Sequence, residues 1–399
     1  MHSTHNRCYR KAARYLAWLA ATLLLTACSG DSAVTEGNRT GTLYIGNGTE
    51  PQTIDPHNLS GTPEARIADT LFEGLVNVNP YTLEIVPGVA ERWMYSDNGR
   101  LITFYLNPRA RFSNGRQITA DDVVWSWHRA LNPRTGNLVA DFLFSVRNAE
   151  AYHRGHIDDA SEVGVRAVDP QTVEVELAFP DPYALRKFTY VYNSILPREA
   201  IEAHGDMTSR FSRWTRPANI VSSGPFQLVD WKLQRYLSVE PNPYYWDAER
   251  VQLERIMFRP IESVSTEEKM FRSGQLHTTV TVPNSKVPAY RELADSPLIE
   301  SPFMGTYYLM LNTRRAPLND VRVRHALALS IDRETLAGSV LEHTVIPSSN
   351  YIPVGMPDYD YPPGLDYQPE TARKLLAEAG YPGGRGFPSI ELAYNTSEN

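Results

Sequence analysis

Cysteine is nearly absent from this 399-residue chain, which has only Cys8 and Cys28. Both lie within the first 28 residues, so neither a disulfide nor a cysteine metal site holds the fold that follows. Beyond Leu25 there is no apolar run of the length that crosses a bilayer. A basic excess is missing as well. The formal net charge is −7; residues 1–27 carry Arg7, Arg10, Lys11 and Arg14 and no acid, and without them 35 basic side chains face 46 acidic ones, a charge of −11. That balance excludes nucleic acid as the expected partner, because phosphates demand a basic footprint. Catalytic signatures are missing too: there is no G-x-S-x-G elbow, H-E-x-x-H, P-loop or G-x-G-x-x-G.

The N-terminus, by contrast, reads as an export signal. Four basic residues precede the apolar stretch Tyr15 to Leu25, which is too short for a stable span. Leu25, Thr26, Ala27 and Cys28 match the lipobox of bacterial lipoproteins, so residues 1–27 are expected to be removed and Cys28 lipidated, tying the mature chain to a membrane. Residues 28–40, rich in Ser, Gly, Thr and Asn, read as a flexible tether.

From there the pattern is globular and mixed. Alternation predicts strands at Thr42 to Asn47, Leu101 to Leu106, Thr172 to Leu177 and Thr306 to Asn312, with a further one beginning near Ile390. Thr62-Pro63-Glu64 predicts a helix start with Thr62 as cap and Ile67, Leu71 and Leu75 on one face. Thr119-Ala-Asp-Asp122 resembles a capping box, Asp320 caps Val321 to Leu329, and Gly380 closes a helix over Pro369 to Ala379. Interleaved strands and helices give an α/β (mixed α+β) class, and about 370 mature residues suffice for two or three lobes. The long loops hold many of the 29 prolines and 24 glycines and suit surface binding features.

Three groups of side chains bear on possible chemistry. His153 and His156, followed by Asp158 and Asp159, could face a metal, but Gly155 intervenes and no fourth ligand is placed, so they read as a solvated loop. Asp121 and Asp122 fit the positive end of a helix better than acid/base work. The aromatics Trp125 and Trp127, Tyr244 to Trp246, and Phe303, Tyr307 and Tyr308 are either core or the walls of a ligand cleft.

Several segments together carry a resemblance. Gly48-Thr-Glu-Pro-Gln-Thr-Ile-Asp-Pro-His57, Leu71-Phe-Glu-Gly-Leu75, Pro87-Gly-Val-Ala-Glu-Arg-Trp93, the run from Arg111 to Trp127, Ser223-Gly-Pro-Phe226, Asn242-Pro-Tyr-Tyr-Trp246, Asn319 to Leu327 with Ile331-Asp-Arg-Glu334, Leu375 to Tyr381 and Tyr394-Asn-Thr-Ser-Glu398 occur in order from Thr42 to Asn399. The set resembles the family 5 bacterial extracellular solute-binding proteins. Within that family it is most similar to the oligopeptide-binding branch, by Asp55-Pro-His57, Asn219-Ile-Val221 and Tyr394-Asn-Thr-Ser397.

The resemblance implies a two-lobe periplasmic-binding-protein-like fold with an extra inserted domain. Lobe one would take residues 40–72 and 198–300, the insert 73–197 and lobe two 301–399, the last incomplete because family chains continue past this point with the acidic anchor for a peptide's amino group. It also implies peptide backbone beside Ser60, Gly61 and Thr62, with Thr281, Phe303, Tyr308 and Asn395 lining the same cleft. Val139 departs from a frequent tyrosine and Ser60 from an occasional glutamate, which leaves ligand length and side-chain preference open. The implied role is capture of oligopeptides for an ABC-type importer, as a lipid-anchored periplasmic monomer with permease partners, no cofactor and no catalysis. Other ligands of the family (dipeptide, sugar, nickel or haem) and an exported hydrolase remain the alternatives.

Overall fold

The computed structural model describes residues 31–301, 303–356 and 358–394. They fall into two compact units that divide in sequence between Val280 and Thr281.

The first unit opens with a departure from expectation. Part of the supposed tether is a helix, α1 (Ala33–Thr40), whose cap Ser32 accepts from the Thr35 amide and which ends at Gly41 with φ +70°. Composition suggested flexibility, but the cap and a close approach override it: a Cβ on Gly37 would meet the Thr42 carbonyl oxygen at 2.4 Å, a fit only glycine allows.

Strand β1 (Thr42–Gly46) follows and pairs in parallel with β10 (Arg255–Arg259), in register from Thr42 opposite Arg255 to Gly46 opposite Arg259. β9 (Tyr236–Pro241) and β8 (Phe226–Lys232) complete this sheet in the order β1-β10-β9-β8. Helix α2 (Thr62–Leu71) lies over it, burying Ile67, Ala68 and Leu71 with Leu228, Leu237, Val239, Ile256 and Phe258. Each such large apolar side chain contributes about 1.5–3 kcal/mol on burial. Its cap is Gly61 and not Thr62, because Pro63 sits one place further into the first turn. The helix stops at Leu71, so Leu75, expected on the same face, lies beyond it in a second core.

That second core covers residues from Leu75 to Ile195. A short hairpin, β2 (Val76–Val78) with β3 (Ile85–Pro87), leads to an antiparallel sheet of β4 (Ala90–Ser96), β5 (Leu101–Leu106), β6 (Val165–Asp169) and β7 (Thr172–Glu176), ordered β4-β5-β7-β6. The alternation works as read: Ile102 and Phe104 pair with Val175 and Val173 and all four are buried. Helix α3 (Ala120–Leu131) packs on β6 and β7 through Val123, Trp127 and Leu131. Its capping box is present, with Asp122 accepting from the Thr119 amide at 2.8 Å. Trp127 is fully buried beside Phe188 and donates to the Asn193 carbonyl at 3.3 Å, so it belongs to the core reading of the aromatics.

In the second unit, helix α5 (Val321–Leu329) packs on α6 (Pro369–Glu378) around Ala326, Leu329 and Ala372; α4 (Val264–Arg272) closes the first unit near its C-terminal end. Asp320 caps α5 by accepting from the Arg322 amide at 2.8 Å, and Gly380 follows α6 with φ +98°. The strand expected at Thr306 to Asn312 is absent, and so is one at Ile390: both stretches are unpaired, and Tyr307, Leu309, Met310, Ile390 and Leu392 are exposed. An alternating pattern becomes a strand only when a neighbour takes its backbone hydrogen bonds, and among the described residues of this unit no strand does so.

Candidate functional site

The stretch Ser60-Gly61-Thr62 links a short 3-10 turn, Pro56–Asn58, to α2. Its amino-terminal anchor is a buried ion pair. Asp55 caps the turn by accepting from the His57 amide at 3.1 Å, and receives both terminal nitrogens of Arg129 on α3 at 2.9 and 2.6 Å. Trp214 donates its indole N–H to the same carboxylate at 3.2 Å, while Arg129 Nε donates to the Met207 carbonyl at 2.7 Å. Burial alone would raise the Asp55 carboxyl, but the charge and hydrogen bonds of Arg129 hold it below its ordinary value. His57 is pushed down to about 3, first by burial and then by Arg129. Its Nδ1, 3.0 Å from Arg129 Nη1, is thus a neutral acceptor.

Beyond this anchor Leu59 is buried while Ser60 and Thr62 are exposed. Gly61 is extended, at φ −143° and ψ 166°, and its carbonyl accepts from the Ala65 amide at 3.1 Å. Among the described residues, nothing pairs with the amide and carbonyl of Ser60 or with the amides of Gly61 and Thr62. Helix starts leave such donors open. An extended, exposed backbone stretch fixed at both ends is what an added peptide strand pairs with. The other fixed end is Glu64, buried in the first turn of α2 with its carboxylate accepting from the Gln52 amide at 3.1 Å.

The remaining expected residues are placed separately. Thr281, Phe303 and Tyr308 belong to the second unit and are all exposed, Phe303 at 88% and Tyr308 at 50%. Tyr308 meets Tyr351 edge to face at 5.0 Å between ring centres. Asn395 and the lipidation candidate Cys28 lie outside the described residues.

A second buried carboxylate escaped the sequence reading. Glu73 accepts from Tyr245 Oη at 2.6 Å, Asn77 Nδ2 at 2.7 Å and Trp246 Nε1 at 2.8 Å. Among the described residues no cation faces it, and burial pushes it up to about 7 despite those donors. The Ser223-Gly-Pro-Phe226 and Asn242-Pro-Tyr-Tyr-Trp246 segments serve this junction. Ser223 Oγ accepts from the Glu73 amide at 3.1 Å, and Asn242 Nδ2 donates to the Gly224 carbonyl at 3.0 Å. A Cβ on Gly224 would lie 2.8 Å from the Leu71 and Phe72 backbone. Tyr245 and Trp246 are therefore structural donors. The one signal in the sequence was an acid set between apolar residues, Leu71-Phe-Glu-Gly-Leu75.

Among the described residues no group of three or more His, Cys, Asp or Glu is arranged to hold a metal ion. His153 rests its ring on Phe144, with Nδ1 3.1 Å from the Leu131 carbonyl oxygen.

The class of protein is given by the match of most of the chain to extracellular solute-binding proteins. Residues 84–399 match the bacterial extracellular solute-binding proteins, family 5 (Middle), and the chain belongs to that family. It is 34% identical to the periplasmic oligopeptide-binding protein OppA of Salmonella typhimurium over 374 residues, which is 90% of this chain and 66% of that protein. It is 33% identical to the periplasmic murein peptide-binding protein MppA of Escherichia coli, covering 88% of this chain and 65% of the relative. The chain thus spans about two thirds of the length of these relatives. Among solved structures, Haemophilus influenzae OppA in complex with RPPGFSPFR matches with a TM-score of 0.79 at 31% identity, over 86% of this chain and 67% of that one. Burkholderia pseudomallei OppA matches with a TM-score of 0.80 at 29% identity, over 86% and 67%.

Proposed function

We propose that this chain is the ligand-capturing part of a periplasmic oligopeptide-binding protein that serves an ABC-type importer and performs no catalysis. The observation that carries the reading is the open backbone of Ser60 to Thr62, held between the buried Asp55–Arg129 pair and the buried Glu64. Main-chain donors and acceptors are common to all peptides, so pairing along this edge gives affinity without requiring a sequence. The peptide complex of the Haemophilus relative supports the same ligand class. Residues 40–72 with 198–300 are assigned to lobe one, 73–197 to the insert and 301–399 to lobe two. Thr281, Phe303, Tyr308 and Asn395 are further peptide contacts proposed on the family resemblance alone, and permease subunits receive the captured peptide. Lipid on Cys28 holds the protein on the membrane, and Cys28→Ala releases it to the soluble fraction on cell fractionation.

The test is to purify the full-length protein, extract what it carries and identify it by mass, then incubate it with tri- to pentapeptides. Unmodified peptides of several lengths are expected. Recovery of a non-peptide ligand in their place, or steady cleavage of the added peptides, would sink the proposal.

A further inference from the structure

Beside the proposed backbone edge stands a row of aromatic rings, one of which, Tyr192, also packs against the core of the first sheet. Phe142 lies nearly parallel to Tyr190, with ring centres 4.4 Å apart, and nearly parallel to Tyr192, at 6.1 Å, each with an interplanar angle of 15°. Stacked rings usually mark a core, but here Tyr190 is 44% exposed, and Leu138, on the loop leading to Phe142, is 73% exposed.

Two attachments set this row next to Ser60–Thr62. The 3-10 turn Val191–Asn193, which holds Tyr192, packs against both the Pro56–Asn58 turn and α2, the two elements that flank the open edge. Asn58 Nδ2 donates to the Thr135 carbonyl at 2.8 Å, which fixes the loop carrying Leu138 and Phe142 to the same turn. The Tyr192 hydroxyl is raised first by burial and then by the charges of Asp69 and Glu64 on α2, consistent with that placement.

We propose that Phe142, Tyr190 and Tyr192, with Leu138 at the rim, form a side-chain subsite that selects peptides carrying an aromatic residue at one position along the Ser60–Thr62 edge. This rests on the peptide-capture reading and adds a preference to it. A peptide paired as a strand turns alternate side chains to one face, so one of them is delivered to whatever borders the edge. A planar ring there joins an existing stack, a geometry that adds to simple burial. Tyr190 supplies the accessible ring face, while Phe142 and Tyr192 hold it in place.

Titration calorimetry on the full-length protein with tetra-alanine and its four single-phenylalanine variants tests this. One of the four is expected to bind about 10-fold tighter than tetra-alanine. Tyr190→Ala should bring that ratio close to one, Tyr190→Phe should keep it, and Tyr183→Ala, an exposed tyrosine outside the row, should leave it unchanged. Melting curves confirm that each variant is folded. Tetra-alanine binding with no phenylalanine preference, or a preference that survives Tyr190→Ala, overturns the subsite alone. Failure of every peptide to bind the parent protein overturns the capture reading and the subsite with it.

Discussion

Asp55 and Glu73 are both buried carboxylates, both surrounded by donors from distant parts of the chain, and they end in opposite states. Asp55 faces the guanidinium of Arg129 and is held below the ordinary carboxylate value, whereas Glu73 gathers a phenol, an indole and an amide and is pushed up to about 7. Neutral donors reduce the cost of burying a charge, but a buried cation reverses its sign. The first junction is therefore an ion pair at every physiological pH, and the second is a titrating group.

The largest expected effect breaks the first member of the comparison. Arg129→Met leaves Asp55 buried without its counter-charge and should cost about 3–5 kcal/mol in denaturant unfolding. Asp55→Asn added to it should recover part of the loss, since the two act as one unit. At the second junction Trp246→Phe removes one neutral donor and should cost only about 1–3 kcal/mol. Similar costs for the two would mean that the cation is not what distinguishes them.

The next prediction sharpens the comparison through pH. Glu73 is raised in the fold, so its contribution is complete below the ordinary carboxyl value of 4.5 and is lost as pH rises through about 7. His57 is lowered, so its contribution is present above 6.5 and is lost as pH falls toward 3. Between pH 4.5 and 6.5 the two slopes oppose each other. Relative to the parent protein, Glu73→Gln should shift the slope of stability against pH upward in that window, and His57→Gln should shift it downward, each by up to about 1.4 kcal/mol per pH unit. Shifts of the same sign in the two variants would refute the assignment.

The smallest effect concerns the edge itself. Gly61 is in a conformation any residue adopts, but an added Cβ would sit 2.7 Å from Glu64 Oε2. Gly61→Ala should therefore cost under about 1 kcal/mol of stability, and peptide titration should register a larger loss as Glu64 shifts and the edge moves with it. A loss confined to stability would separate Glu64 from the site.

What could be read in advance followed the range of each interaction. The capping box of Thr119 and Asp122, the alternation of β5 and β7 and the glycine after α6 are local, and the structure has them. Thr306 to Asn312 failed because pairing is not a property of the segment itself. Ser60 to Thr62 came from resemblance, since an exposed Ser-Gly-Thr carries no chemical signature of its own. The Asp55–Arg129 pair joins residues 74 apart in sequence, and nothing near either one announces the other.

The parallel pairing of β1 with β10 also sets a timetable for a chain synthesised from its N-terminus. Thr42 emerges first, yet its partner Arg255 follows more than two hundred residues later, roughly 10–40 s at ordinary synthesis rates. Until then β1 is an unclaimed edge, while β4 to β7, whose partners are all closer in sequence, can already close on α3. The sheet of β4 to β7 can thus close first, and the sheet of β1 with β8 to β10 is completed only when β10 arrives.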